Sequence, residues 1–462
     1  MINYKKLKNK KVLVMGLGLH GGGVSVVNWL LKQGARVRVT DLKTRKELAS
    51  SLKKIKSGKV AYILGRHRLE DFRKADLVIQ NPGVPRESEF IAEARKNKIP
   101  VENEASLFFR FCPAKIIGVT GSKGKSTLTY LLYKLIKKKY RDTLMAGNIR
   151  DIKMLDILPK VKKTSKVILE LSSWHLEGMA HLKKSPAIAV ITNIIPEHLN
   201  RYQSMKDYIA AKALIFKFQK RGDYAVINAD NPWTRKLCQQ TKASVFCFSA
   251  KKPAPNGVFE IDNKFVFIKN GKRKKMFSLQ STDIFPLHNV QHFLAAGAVG
   301  KILKIPDSVI KETIKNFRNL HDRLEFLKEQ RGVKYYNDTT ATVPEAAVSA
   351  LKTLGNSQKK NIILLAGGAD KNLDYRVLAR NIERYAKAVI LFQGPASNKI
   401  KKAIKNKKII TLVQGMKEAI KKARQKARPG DIILLSPGAA SFGLFKHEFD
   451  RGDQFKKYAK LK

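Results

Sequence analysis

Apolar residues along the chain fall into short runs that alternate with longer segments of helical spacing. Residues 11–15 predict a strand, 22–33 a helix ended by Gly34, 36–40 a second strand and 76–80 a further one. Strands separated by helices predict a parallel sheet. Near Pro113 the rhythm restarts. Residues 116–120 predict a strand entering a glycine turn and 126–138 a helix; strands follow at 167–171, 187–192 and 224–228, with a helix over 205–219. Between Phe259 and Leu279 the pattern changes to alternation around Asn270-Gly271, the signature of a tight hairpin, which predicts a small β excursion on the middle domain. Beyond Arg318, apolar runs at 334–336, 362–365, 388–392, 409–413 and 432–435 are again separated by helical segments. The expected architecture is α/β throughout, in three domains spanning 1–113, 114–319 and 320–462.

Composition narrows the class. The chain has 462 residues, 44% hydrophobic and 28% charged, ordinary proportions for a globular protein. No apolar run approaches the roughly 20 residues needed to cross a bilayer. The apolar stretch from Val12 to Leu19 follows basic residues as in a secretory signal, but Gly21 to Gly23 break it and no small-residue cleavage site follows. Cys112, Cys238 and Cys247 lack metal-ligand spacing and predict buried thiols in a reducing cytoplasm. Charge is the unusual quantity: 92 Lys plus Arg against 37 Asp plus Glu leave +55. Such a surface attracts polyanions without sequence preference. The basic residues are spread over the whole chain with no aromatic-interleaved stripe, which predicts a solvated basic surface rather than a specific nucleic-acid site.

Two glycine turns carry candidate chemistry. Gly16-Leu17-Gly18-Leu19-His20-Gly21 lies between a strand and a helix, and Asp41 ends the next strand. This pattern fits a nucleotide diphosphate site, with backbone N–H groups at a helix N-terminus and a carboxylate for a hydroxyl or base edge; close strand-helix packing explains the same glycines. The second turn, Thr120-Gly121-Ser122-Lys123-Gly124-Lys125-Ser126-Thr127, follows an apolar strand and opens a helix. Its amides suit phosphates, Lys125 would neutralise them, and the Ser126 or Thr127 hydroxyl would ligate Mg²⁺. It is a shortened phosphate loop, because Val119 stands where the strict pattern has its first glycine. Glu170 and the pair Glu197-His198 close the next two strands, the end at which doubly wound sheets place ligands, although polar residues are common there in any case.

With both nucleotide motifs and a third α/β domain, the sequence resembles the Mur ligase family almost end to end. The resemblance rests on Asn81-Pro82-Gly83, Gly147-Asn148-Ile149, Leu169-Glu170-Leu171-Ser172-Ser173 and Ala210-Ala211-Lys212. It continues with His288-Asn289-Val290-Gln291, Arg323-Leu324-Glu325, Asn337-Asp338, Gly367-Gly368-Ala369-Asp370-Lys371 and Ser436-Pro437-Gly438-Ala439-Ala440-Ser441. It implies a Rossmann-like first domain, a central phosphate-loop ATPase-like domain and a Rossmann-like third domain. The implied activity is ATP-dependent, Mg²⁺-assisted amide ligation of D-glutamate to UDP-N-acetylmuramoyl-L-alanine through an acyl phosphate, by a cytoplasmic monomer in peptidoglycan synthesis. Sister ligases adding another amino acid, a nicotinamide-dependent oxidoreductase built on Gly16 to Asp41, and a polyanion-binding protein are the rival readings.

By that resemblance ATP is held by Gly121, Ser122, Lys123, Gly124, Lys125, Ser126 and Thr127, with Asn289, Arg323 and Asp338. The UDP-linked substrate is met by Gly16, Gly18, Asp41, Asn81, Gly83 and Asn148, and D-glutamate by Thr342, Lys371, Ser441 and Phe449. Ser126, Glu170, His198 and Lys212 serve the metal, Lys212 as an N6-carboxylysine. The apolar residues around Lys212 place it near the edge of a buried helical side, where a snorkelling lysine is the ordinary alternative. Thr340, His292, Asp322 and Gly443 stand where the family pattern has lysine, asparagine, histidine and aspartate.

Overall fold

The computed structural model describes residues 7–56, 59–85, 87–147, 149–150, 152–197, 201–278, 290–317 and 320–459. The first sheet contains β1 (Lys11–Met15), β2 (Arg36–Asp41), β3 (Val60–Leu64), β4 (Leu77–Gln80) and β5 (Val101–Glu102). Their order is β3-β2-β1-β4-β5, with all pairs parallel. Strand order reverses between β1 and β4, which opens a crevice at their carboxyl ends. The Gly16 turn and Asn81 both leave the sheet at that crevice.

The second sheet contains β6 (Lys115–Thr120), β7 (Thr143–Gly147), β8 (Lys166–Glu170), β9 (Ile188–Ile191), β10 (Tyr224–Asn228), β11 (Ser244–Ser249), β12 (Gly257–Ile261), β13 (Lys264–Lys269) and β14 (Lys272–Ser278). The order is β14-β13-β12-β11-β10-β9-β6-β8-β7, parallel except for the pairs β12-β13 and β13-β14. The expected β excursion at Asn270-Gly271 is therefore the antiparallel edge of the central sheet. Parallel pairing of β12 with β11 joins it to the sheet, and φ of 50° and 76° at Asn270 and Gly271 form its turn. β6, β8 and β9 are buried along nearly their whole length, as central parallel strands covered on both faces must be.

One apolar cluster runs through the first two sheets, from Leu7, Val12 and Val27 through Phe108 and Ile116 to Val167, Ile191 and Phe216. By its internal contacts the chain divides into two compact units: the first two sheets lie in one, and the other takes up the chain from Asn316. The second unit contains β15 (Glu325–Gln330), β16 (Val333–Asn337), β17 (Ile362–Gly367), β18 (Ala386–Phe392), β19 (Ile410–Val413) and β20 (Ile432–Leu435). Their order is β15-β16-β20-β17-β18-β19, with only β15-β16 antiparallel. Apolar clusters on both faces, one around Leu351, Leu364 and Leu378 and one around Ile363, Ile390 and Phe455, make it a three-layer α/β unit. Among the described residues no helix is long and apolar enough to cross a membrane. Cys112 and Cys247 are half-buried, short of the full burial expected from sequence.

Candidate functional site

The turn after β6 is built as a phosphate cradle. Gly121 has φ 143°, and a Cβ there would stand 1.9 Å from Thr192 Oγ1; Gly124, at φ 82°, precedes the Lys125–Lys139 helix, and a Cβ there would meet the His292 ring at 2.0 Å. Only glycine fits either place. The segment after β9 braces the turn. Ser122 N–H donates to the Asn193 carbonyl (2.8 Å), Lys123 N–H to Asn193 Oδ1 (2.9 Å), and Thr192 Oγ1 to the Lys123 carbonyl (2.6 Å). Lys125 Nζ donates to the carbonyls of Gly121 (3.0 Å) and Ser122 (2.8 Å), and Lys123 Nζ lies 2.5 Å from Glu197 Oε1. Ser126 is buried in the first turn of the helix. The cradle thus combines two cations, a helix N-terminus and a hydroxyl, which is the chemistry for a polyphosphate with its metal.

Lys212 stands inside this site rather than at the edge of its helix. It is 2% exposed, Nζ donates to the Gly121 carbonyl at 2.8 Å, and Nζ lies 4.6 Å over the Tyr208 ring. A snorkelling lysine would reach water, and this one does not. Burial holds its pKa well below the usual lysine range; the Lys125 charge pushes the same way and Glu197 opposes. Glu170, at the end of β8, is 2% exposed, and its Oε2 has no hydrogen-bond partner. An orphaned carboxylate oxygen at the carboxyl ends of these strands is what a hard cation would satisfy, so the residues present fit Mg²⁺. Among the described residues no group of three or more His, Cys, Asp or Glu forms a ready metal cluster. His198, Asn148 and Asn289 lie outside the described residues.

At the first crevice the carboxylate of Asp41 is already committed. Its Oδ2 accepts from the amides of Leu17 (2.8 Å) and Gly18 (3.0 Å), and its Oδ1 accepts from the Lys43 amide (2.9 Å). Asp41 therefore shapes the glycine turn, and in this arrangement it presents no oxygen lacking a donor to a dinucleotide ribose. Asn81 completes the turn: its Nδ2 donates to the Gly16 carbonyl (3.1 Å) and its Oδ1 accepts from Gly83 N–H (3.0 Å). A Cβ at Gly16 would lie 2.8 Å from Asn81 Cβ, so the two loops meet only because that residue is glycine.

In the third-sheet unit the candidates gather at the carboxyl ends of β16, β17 and β20. Lys371 Nζ donates to Thr342 Oγ1 at 3.4 Å, and the loops after β17 and β20 pair through Ala369 and Ala440, next to the buried Ser441. Phe449 lies in the first turn of the Glu448–Tyr458 helix with its ring edgewise against His447. Asp338 accepts from Leu324 N–H (3.0 Å) and Ser436 Oγ (2.7 Å). Burial raises its pKa to about 7, against those donors and the nearby charges of Arg323 and Arg451. Asp322 accepts from Asn337 Nδ2 at 2.8 Å, so its carboxylate is engaged within this unit.

Three functional candidates escaped the sequence reading. Arg451 is 0% exposed and donates to the carbonyls of Thr339 and Ala439 and to Thr339 Oγ1, tying the loops after β16 and β20 together. The signal was its helical spacing from Phe455 on an otherwise charged helix. Tyr208 OH lies 3.0 Å from Ser122 Oγ, and Arg201 reaches the Val84 carbonyl at 3.2 Å. Neither is marked by a motif.

Comparison with known proteins bears on what this site does. Family models described as the Mur ligase MurD-like N-terminal domain, the Mur ligase middle domain and the Mur ligase glutamate ligase domain match residues 10–103, 119–300 and 322–438. A UDP-N-acetylmuramoylalanine--D-glutamate ligase of Roseiflexus sp. (strain RS-1) is 40% identical, with 98% of each chain covered. One of Borreliella afzelii (strain PKo) is 38% identical at the same coverage. Among solved structures, a UDP-N-acetylmuramate-alanine ligase of Thermotoga maritima superposes with TM-score 0.65 at 19% identity, covering 98% of this chain and 100% of that one. A MurF ligase of Thermotoga maritima in complex with ADP gives 0.59 at 18% identity, covering 100% and 97%.

Proposed function

The chain belongs to the Mur ligase family, and from that premise we propose that it is an ATP-dependent acid-amino acid ligase that adds D-glutamate to UDP-N-acetylmuramoyl-L-alanine in peptidoglycan precursor synthesis. One observation carries the site assignment. The glycine cradle at 120–127, a buried low-pKa Lys212 on its Gly121 carbonyl and the orphaned oxygen of Glu170 lie at the carboxyl ends of the adjacent strands β6 and β8, Lys212 reaching in from its helix. The division into domains at 113 and 319 is proposed with it.

In the proposed reaction a carboxylate oxygen of the UDP-linked substrate attacks the γ-phosphorus of ATP, and ADP leaves. The amine of D-glutamate then attacks the acyl phosphate carbon, phosphate departs, and the amine gives up its proton to solvent. Amides of residues 121–127 and the Lys125 ammonium hold the phosphates and offset the charge that develops on them. Mg²⁺ would be held by Ser126, Glu170, His198 and carbamylated Lys212, and when bound it supplies further positive charge to the phosphate oxygens. Asn289, Arg323 and Asp338 are proposed as further ATP contacts.

Gly16, Gly18, Asn81, Gly83 and Asn148 are proposed for the UDP-linked substrate, with Asp41 acting through the amides it fixes. The Lys371 ammonium, with Thr342, Ser441 and Phe449, is proposed to fix D-glutamate. A lysine suits this task because its charge pairs with a carboxylate, and its loop after β17 pairs through Ala369 and Ala440 with the loop that carries Ser441. The oxidoreductase reading loses its ribose-binding carboxylate, since Asp41 is bonded to the loop itself. The test is phosphate release from ATP with UDP-N-acetylmuramoyl-L-alanine, scanning D-glutamate, L-glutamate, L-alanine and diaminopimelate. Release that depends on D-glutamate alone is expected, and dependence on another amino acid would move the enzyme to a sister activity.

A further inference from the structure

We propose that Arg201 is a positioning residue that fixes the substrate-binding segment 81–84 relative to the phosphate loop, and so aligns the substrate carboxylate with the γ-phosphate. The proposal rests on the ligase reading above. Arg201 stands before the Met205–Lys217 helix that carries Lys212, and its side chain reaches the segment that follows β4 of the first sheet. Its guanidinium donates to the Val84 carbonyl at 3.2 Å, the next residue after the Asn81-Pro82-Gly83 turn. Its carbon lies 4.7 Å over the Trp174 ring, and its other terminal nitrogen is 3.9 Å from Glu177 Oε2.

The line of contacts continues to the nucleotide. The same Glu177 oxygen accepts from Tyr202 OH at 3.0 Å; the Tyr202 ring packs on Tyr208 with centroids 5.2 Å apart; Tyr208 OH is 3.0 Å from Ser122 Oγ in the phosphate loop. A carbonyl beside the substrate turn is thereby connected to the ATP cradle through side chains that are mostly buried. A cleft of about 1040 Å³ opens beside them, lined by Asn81, Pro82, Trp174, Glu177, Arg201 and Asp207. A planar guanidinium can stack on an indole and donate at its edge together; an ammonium has no flat face for the stack.

Loss of Arg201 should therefore loosen the substrate segment without emptying the ATP cradle. With Arg201→Ala, kcat should fall and KM for the UDP-linked substrate should rise, each by about tenfold, the scale of a lost charge-assisted hydrogen bond. KM for ATP and Tm should stay at the wild-type values. Arg201→Lys should recover only part of the loss, Trp174→Phe should stay near wild type, and Trp174→Ala with Arg201→Ala should be no worse than the more damaging single variant. Wild-type kinetic constants in Arg201→Ala would overturn the proposal. So would full recovery in Arg201→Lys, additive effects in the double variant, or equal losses toward both substrates with a lowered Tm. The wild-type control separates the two readings: absence of any D-glutamate product there strikes the ligase assignment, whereas product there with an unaffected Arg201→Ala strikes only the positioning role.

Discussion

Lys212 offers the sharpest perturbation, because a cation and a carbamate at one position make opposite demands on the residues around it. An ordinary lysine with a pKa of about 10.4 is neutral in only about one molecule in 2500 at pH 7. Each unit of depression multiplies that fraction by about ten. In the structure, burial is the leading cause of a pKa well below the ordinary range, with Lys125 adding to it. The neutral amine is the form that attacks CO₂, forming a C–N bond and releasing one proton, and the product is an anion within reach of the Lys125 charge. Lys212→Ala removes both the anion and the donor to the Gly121 carbonyl. A loss of about 10² to 10³ in kcat is expected, the scale of deleting a principal electrostatic group. Lys212→Arg keeps the donor and the positive charge but cannot be carbamylated, so it should be equally impaired. The assay is phosphate release in CO₂-stripped buffer, then with added bicarbonate, with formate supplied to Lys212→Ala as a replacement carboxylate. Wild type should lose activity on stripping and regain it with bicarbonate, and formate should restore part of the alanine variant. Near-normal turnover of Lys212→Arg, or a wild type indifferent to stripping, would refute the carbamate and leave Lys212 as a packing cation.

Lys125→Ala should lower turnover by about 10³ or more with Tm unchanged, because a main charge on the phosphates is gone from a partly desolvated cradle; retention of a tenth of wild-type turnover would remove that loop from the mechanism. Lys371→Ala should raise KM for D-glutamate far more than KM for ATP, and the reverse split in initial-rate kinetics would displace the amino acid from that loop. Asp338 gives a stability prediction: its folded pKa of about 7 lies above the unfolded value, so the folded state holds the extra proton. Its contribution is complete below the unfolded pKa near 4 and is lost as pH rises through about 7. The ligand-free Asp338→Asn variant should show a flatter fall of Tm than wild type between pH 5 and 8, and parallel curves would contradict it.

The sequence made the strand-helix rhythm legible where apolar runs were uninterrupted. β1, β10 and β20 fall where the pattern places them, and the helix after the phosphate loop differs by one residue at each end. β3 and β7 went unread: β3 is only partly buried, and β7 is a short run ending in Gly147. β11 also went unread, and it is the strand through which β12 and the hairpin at Asn270-Gly271 join the central sheet. At the site, the glycine cradle and Lys125 were legible because a phosphate loop is a local motif. The commitment of Asp41 to the Leu17 and Gly18 amides, the full burial of Arg451 and the reach of Arg201 to Val84 depend on residues far apart in sequence, which no local pattern records.

Acyl phosphate formation by an enzyme that joins D-glutamate to a UDP-linked carboxylate is measured with substrate labelled by ¹⁸O in that carboxylate. One labelled oxygen is expected in each phosphate released, in amounts equal to the D-glutamate-containing product. Unlabelled phosphate, or labelled phosphate with no D-glutamate in the product, would contradict it.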